Sequence, residues 1–261
     1  MPTQQGDDPH RHRDLAESFG VDPARYDRAR PRYPDAMVRA IVPGPEVRDV
    51  LDVGCGTGIA SRAFRAVGCR VLGVDVDARM AEFARSGGID VEVAPFETWD
   101  PAGRTFDAVV AGQTWHWIDP VLGPAKAARV LRPGGRLAVF WNALEPPAEV
   151  LAPSTALFRR LVPGAGDGSP RAGYEAFFPR TAAGIRGSGA FGPPEEWRFE
   201  WDYRSTREQW LDQVPTSGLA ARVPPAEMAD LLAATGAAID ALGGEFTVRC
   251  TTVVVTAVLG P

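Results

Sequence analysis

Three groups of residues in this chain are suited to chemistry: the turn Gly54-Cys55-Gly56-Thr57-Gly58, the aspartates Asp52 and Asp75, and the histidine of Trp115-His116-Trp117. The turn follows the apolar run Val50-Leu51-Asp52-Val53 and opens a helical pattern. Glycines there let the backbone bend tightly and let a ligand approach where a Cβ would collide. The carboxyl end of a parallel strand is where open α/β sheets bind ligands. Asp75 ends the next apolar run, Val71-Leu72-Gly73-Val74. A carboxylate at that point accepts hydrogen bonds from the ribose hydroxyls of a nucleoside. Asp77, one residue before Ala78, is the better cap for the following helix, which leaves Asp75 for the ligand.

A glycine-rich turn of this kind also serves NAD and FAD, or no ligand at all. Three features favour S-adenosylmethionine (SAM). The spacing is GxGxG, whereas dinucleotide sites use GxGxxG. Asp52, two residues before Gly54, is placed to help hold an ammonium group and would repel a pyrophosphate. A helical pattern followed by one long β-branched run near residue 250 suits a last strand inserted antiparallel.

These groups need a scaffold, and alternating patterns supply it. Short apolar runs read as strands at Asp49–Val53, Arg70–Val74, Val91–Ala94, Phe106–Ala111 and Arg136–Trp141. Helical patterns lie between them at Ile59–Val67, Ala78–Ser86 and Pro120–Leu131, with a helix over about 35–42 before the first strand. This alternation implies βαβ units around a parallel sheet. The expected fold is α/β: a Rossmann-like, seven-stranded, mostly parallel sheet with an antiparallel last strand and helices on both faces. Residues 1–13 read as a disordered leader and 14–142 as a ligand-binding core with a helical cap. Residues 143–195, rich in Pro, Gly and aromatics, read as a lid or acceptor-pocket insertion with a helix near 153–162. Residues 196–261 return to the sheet through strands Arg198–Tyr203 and Phe246–Leu259 and helices Arg207–Val214 and Pro225–Leu242.

Composition narrows the function. The chain has 261 residues, of which 45% are hydrophobic, enough for one sizeable core. Its formal charge of −5 disfavours nucleic-acid phosphates, which call for a basic surface. Cys55, Cys69 and Cys250 are odd in number and lack CxxC spacing, so no disulfide framework or metal site is expected and a reducing cytoplasm fits. Residues 1–13 lack the apolar stretch of a signal peptide. No apolar run approaches the roughly 20 residues of a membrane span.

The segments VLDVGCGTG, GVDVD, FDAVVAGQTWHWID and RVLRPGGRLAVFWN together resemble the successive motifs of class I SAM-dependent methyltransferases. More narrowly, with YDRARPRYP ahead of the first strand, they resemble the small-molecule group related to the UbiE and trans-aconitate types (methyltransferase type 11). The resemblance covers about residues 20–142. It implies that Asp52, Gly54, Cys55, Gly56 and Gly58 surround the methionyl part of SAM. It also implies that Asp75 binds the ribose, and that Val76, Met80, Phe96 and Glu97 lie near the adenine. Gln113 would lie near the sulfonium, and Arg30 and Tyr33 would close over the cofactor.

Methyl transfer from a sulfonium is one in-line displacement, and holding the nucleophile in place supplies much of the catalysis. A base is needed only where the nucleophile must lose a proton. His116 is the candidate for that role, or else a structural residue of the pocket. Trp115 and Trp117 either fill the core or form an aromatic wall, and Trp141, Phe177 and Phe178 are further candidates for the acceptor pocket. Arg171, Arg180 and Arg186 are candidates for binding a carboxylate. The reading is thus a SAM-dependent methyltransferase acting on O, N or C of a small molecule. The alternatives are a SAM-binding protein without transfer and, further off, an NAD-linked oxidoreductase or an RNA or protein methyltransferase.

Overall fold

A computed structural model describes residues 19–44, 46, 48–161, 170–217 and 223–260. Its centre is a seven-stranded sheet in the order β3-β2-β1-β4-β5-β7-β6. The strands are β1 (Asp49–Val53), β2 (Arg70–Asp75), β3 (Asp90–Val93), β4 (Phe106–Gly112), β5 (Leu131–Glu145), β6 (Glu195–Thr206) and β7 (Glu245–Val258). β1 to β5 pair in parallel, and β7 runs antiparallel between β5 and β6. This is the expected sheet, with the reversed strand where the closing β-branched run placed it. The central strands are sealed on both faces: Val50, Leu51, Val109, Val110, Val139 and Phe140 are all fully buried. Strands covered on both sides read as continuous apolar runs and not as alternations.

The helices are α1 (Pro23–Ala29), α2 (Asp35–Ile41), α3 (Ile59–Ala66), α4 (Ala78–Ser86), α5 (Leu122–Val130), α6 (Ala148–Leu161), α7 (Pro170–Glu175), α8 (Phe177–Gly187), α9 (Arg207–Gln213) and α10 (Pro225–Ala241). α1 starts where Asp22 accepts the Arg25 N–H and Pro23 presets the first turn. It is then tied on two sides. Arg25 and Arg28 bind Asp212 of α9, and Asp27 meets Arg62 of α3. These ties hold α1 above the carboxyl ends of the strands.

β5 is much longer than the expected Arg136–Trp141. Its pairing with β7 continues to Glu145 opposite Arg249, so residues 143–145 belong to the sheet and not to an insertion. Among the described residues, the rest of that region holds three helices, α6 to α8, where the sequence signalled one. The leader, residues 1–13, the side chains of Phe158 and Arg171, and residue 162 lie outside the described residues. Among the described residues, no helix is long and apolar enough to cross a membrane, and no cluster of His, Cys, Asp and Glu could hold a metal.

A chain of side-chain hydrogen bonds crosses the sheet. Trp201 on β6 donates to Thr252 Oγ1 on β7 at 2.9 Å, and Thr252 donates to Asn142 Oδ1 on β5 at 2.6 Å. Asn142 Nδ2 donates to the Arg32 carbonyl at 3.1 Å, just beyond α1. A hydroxyl accepts and donates at once, so each link orients the next.

At the opposite end of the strands, Asp107 ties β4 to β1. It accepts the Arg48 and Asp49 N–H groups, both at 2.9 Å, and Arg132 at 2.5 Å. Burial acts to raise its pKa, but the Asp49 N–H, Arg132 and the Arg48 N–H outweigh that and hold it below 3.8. A carboxyl depressed on folding stabilises above its unfolded pKa, and that stability is lost as pH falls through the folded value. Asp107→Asn is expected to destabilise the fold by ~1 kcal/mol near pH 7, after allowing for solvent screening. In denaturant titrations the gap to the parent should shrink steadily from pH 5 to pH 3.

Candidate active site

The turn after β1 is built from left-handed backbone. Gly54, Gly56 and Gly58 have φ of 63°, 54° and 84°. Side chains other than glycine seldom adopt that region. The Gly54 N–H donates to the Val74 carbonyl at 2.7 Å, which locks the turn onto β2. A Cβ on Gly54 would fall 2.2 Å from Thr114 Oγ1, whereas one on Gly56 would meet only Met80 Cε, at 3.6 Å. Gly54 is therefore packed shut against the loop after β4, and Gly56 faces open space.

Asp75 Oδ2 accepts the Gly56 N–H at 2.7 Å, and its Oδ1 accepts the Asp77 N–H at 2.9 Å. Asp77 caps α4 as expected, accepting the Arg79 N–H at 2.9 Å. Asp75 is not free in the sense the sequence suggested: it fastens the glycine turn. Each carboxylate oxygen keeps a second lone pair for a ligand. Burial pushes the Asp75 carboxyl above its ordinary range, with the Asp77 and Gly56 N–H groups opposing. Asp52 lies beneath the turn, 1% exposed. Its Oδ2 accepts the Ser61 hydroxyl at 2.6 Å, but its Oδ1 is buried with no partner. Burial raises its pKa from 3.8 to about 7.

The glycine turn and Asp75 border a cavity of about 240 Å³ at the carboxyl ends of β1, β2 and β4, whereas Asp52, expected on that wall, is buried beneath the turn and is not part of it. Gly54, Gly56, Asp75, Val76, Met80, Phe96, Glu97, Gln113, His116, Trp117 and Arg30 line it, as the sequence led one to expect. Arg30 sits over the Tyr26 ring at 4.9 Å, and its Nε is buried without an acceptor. Gln113 has φ 61°, an uncommon conformation for a residue with a side chain, and its Oε1 is also buried and unpartnered. Strain and an unsatisfied polar atom at one wall residue mark a position set for a ligand.

Other expected residues sit elsewhere. Cys55 turns its sulfur toward Gly73, in a cluster with Ala81, Ala84, Ile89 and Val91. Gly58 precedes α3 and faces Ile89 and Ala84. Tyr33 packs edge-on against Phe140, below Gly112, at 4.8 Å between ring centres. Trp141 and Phe178 are core residues, 0% and 4% exposed. Trp115 is buried as well, and with Phe177 it borders a second, smaller cavity of about 30 Å³. That cavity also touches His116, Arg180 and Thr181. Arg186 closes the last turn of α8, away from both cavities. Sequence reasoning passed over Phe19, Tyr26, Thr114, Ile118 and Ser217, all on the main cavity wall, where Tyr174, an aromatic of the expected insertion, also lies. Tyr26 was within reach, since it lies four residues before Arg30 and so on the same side of α1.

The His116 ring stacks on Phe177 at 4.6 Å and 6°, and tilts against Trp117 at 4.8 Å. Trp141 Nε1 donates to His116 Nδ1 at 3.3 Å. Burial lowers the His116 pKa to about 3, so the ring is neutral at ordinary pH.

A doubly wound sheet with a reversed β7, a glycine turn after β1 and a carboxylate ending β2 define a class I methyltransferase fold. Residues 51–139 match the family model described as a methyltransferase domain. An uncharacterized methyltransferase of Mycobacterium tuberculosis is 38% identical over 133 residues, covering 50% of this chain and 54% of that protein. A malonyl-[acyl-carrier protein] O-methyltransferase of Enterobacter lignolyticus is 36% identical over 128 residues, covering 44% of this chain and 51% of that one. The chain thus spans about half the length of these curated relatives. A solved structure, a proposed type II methyltransferase from Anaeromyxobacter dehalogenans, superposes with a TM-score of 0.64 at 26% identity, over 89% of this chain and 99% of that one.

Proposed function

We propose that this chain is a SAM-dependent methyltransferase that methylates O, N or C of a small-molecule acceptor. The observation that carries the reading is the buried, unpartnered Oδ1 of Asp52 beneath a turn whose Gly56 opens onto the cavity. A buried carboxylate oxygen without a donor is costly unless a cation completes it. The ammonium of SAM is such a cation. Asp75 grips the ribose with its remaining lone pairs, and Val76, Met80 and Phe96 enclose the adenine. The unpartnered Arg30 Nε receives the amino-acid carboxylate, and Gln113 borders the sulfonium. When bound, SAM supplies an electrophilic methyl group. The chain's task is to orient it toward the acceptor and keep water out, and orientation alone is worth roughly 7–11 kcal/mol of barrier. Helices α7 and α8, which bring Tyr174 and Phe177 to the cavity walls, serve as the lid, while α6 packs against α10. The free, buried thiols Cys55, Cys69 and Cys250 suit a reducing cytoplasm.

Titration calorimetry with SAM, S-adenosylhomocysteine and NAD tests the reading. Binding of the first two and not of NAD is expected, and no heat with either SAM species would refute it.

Asp52 gives a second, opposed pair of effects. A carboxyl raised on folding stabilises below its unfolded pKa, and that stability is lost as pH rises through the folded value, here about 7. Asp52→Asn removes the buried charge. The ligand-free variant should melt higher than the parent at pH 8 and equally at pH 4, yet bind SAM at least tenfold more weakly at pH 8. A variant less stable at pH 8 with unchanged affinity would contradict both assignments.

A further inference from the structure

β6 is the last strand of the sheet, so among the described residues one of its edges pairs with nothing. Its other edge runs against β7 from Glu195 to Thr206 without a shift in register. The strand is 12 residues long and holds neither proline nor glycine. Every second residue of such an edge turns its N–H and C=O outward, ready to pair with another strand. Proteins blunt an edge of this kind by shortening, bending, covering or charging it. Among the described residues β6 uses only charge, and its charges differ in sign.

The order of those signs matters. Successive residues of a strand point to opposite faces. Glu196, Arg198, Glu200, Asp202 and Arg204 are exposed on one face, and Trp197, Phe199, Trp201 and Tyr203 are half-buried on the other. Laid antiparallel against a copy of itself with Glu200 facing Glu200, the strand sets Glu196 opposite Arg204 and Arg198 opposite Asp202, each twice. Only the two Glu200 side chains then meet a like charge. Slid by two residues one way, Arg198 meets Arg204 and Glu200 meets Asp202. Slid the other way, Glu196 meets Asp202. Opposite charges directly across a strand pair stabilise it and like charges destabilise it, so one register is selected. That register also sets Trp197 opposite Tyr203 and Phe199 opposite Trp201, and aromatic cross-strand pairs add stability.

Contacts within the chain leave these charges within reach. Arg198 meets Glu196 of its own strand at 2.7 Å, and Arg204 meets Glu245 of β7. All four side chains remain at least 42% exposed. A guanidinium has five N–H donors and can serve a second carboxylate.

We propose that the chain forms a two-fold homodimer in which the β6 edges of two copies pair antiparallel about Glu200, joining two seven-stranded sheets into one. A two-fold contact uses the same patch on both copies, so it requires a self-complementary row of this kind. The relay from Trp201 to the Arg32 carbonyl starts on this edge, so the dimer holds the strand that carries its first donor.

Sedimentation of the full chain at about 50 µM should give twice the 28.0 kDa of one copy. Arg198→Asp and Asp202→Arg each set like charges opposite one another at two places. Each alone should weaken the dimer at least tenfold. Mixed in equal amounts, the two variants should pair with each other about as tightly as the parent, because each supplies the sign the other lacks. Glu200→Gln removes the one clash and should tighten the dimer. In the parent, amide hydrogen exchange should slow at residues 196–204 as concentration rises. That measurement decides the matter if a substitution unfolds the chain. A monomeric parent overturns the proposal. So does a dimer that neither single variant weakens, a mixture that fails to reassociate, a looser dimer with Glu200→Gln, or slowed exchange confined to another element.

Discussion

Replacing Asp75 by alanine should weaken binding of both SAM and S-adenosylhomocysteine at least a hundredfold. The expectation follows from two separate losses. The first is the pair of charge-assisted hydrogen bonds to the ribose, each worth about 1.5–3 kcal/mol. The second is the fastening of the turn itself, because Asp75 holds the Gly56 N–H at 2.7 Å and the Asp77 N–H at 2.9 Å. Without it the turn is free to leave the shape that fits a nucleoside. Asp75→Asn separates the two effects. Its amide oxygen can satisfy one backbone N–H, but its NH2 group must face the other. Calorimetry and thermal melts on both variants check this. If Asp75→Ala bound SAM within fivefold of the parent, the sugar contact would lie elsewhere.

The second large effect contrasts two glycines in one turn. Both have positive φ, so alanine strains each by ~1 kcal/mol. At Gly54 the new Cβ also collides with Thr114, whose Oγ1, Cγ2 and Cβ would all lie within 2.8 Å. Thr114 follows the strained Gln113, so there is little slack to relieve the clash. Gly54→Ala should cost about 2–4 kcal/mol of stability, in the range for overpacked cores with added strain. At Gly56, on the cavity wall, the Cβ meets only Met80 Cε, at 3.6 Å. Gly56→Ala should fold with a loss of only ~1 kcal/mol, yet bind SAM at least thirtyfold more weakly. Denaturant curves and calorimetry on the same two proteins decide it. Equal destabilisation would mean that the turn is packed alike at both positions.

How much of this was legible in the sequence depends on the kind of burial. β1, β2 and β4 are covered on both faces, so their apolar runs coincide with their boundaries to within a residue or two. The same rule explains the error at Trp141. It ends a run, Leu137 to Trp141, that is buried on every side, so the aromatic ring belongs to the core and not to an acceptor pocket. Gly54 and Asp75 were legible as wall residues because a turn after β1 and a residue ending β2 stand side by side at the carboxyl ends of two adjacent strands. Phe19 was not. It reaches the cavity from ahead of α1, brought there by tertiary contacts that no local pattern encodes. The far end of β5 was likewise invisible, because it is set by a partner, β7, about a hundred residues further on. The hydrogen-bond partner of His116, Trp141, also lies twenty-five positions away.

The relay from Trp201 through Thr252 and Asn142 to the Arg32 carbonyl has a consequence for biogenesis. Every described residue on the wall of the main cavity precedes position 218, yet the hydroxyl that orients Asn142 arrives only with position 252. A nascent chain can thus expose all of these wall residues while the strand that pins Asn142, and through it the Arg32 carbonyl, is still inside the ribosome. The segment after α1 would then gain its anchor only when β7 slides between its two neighbours.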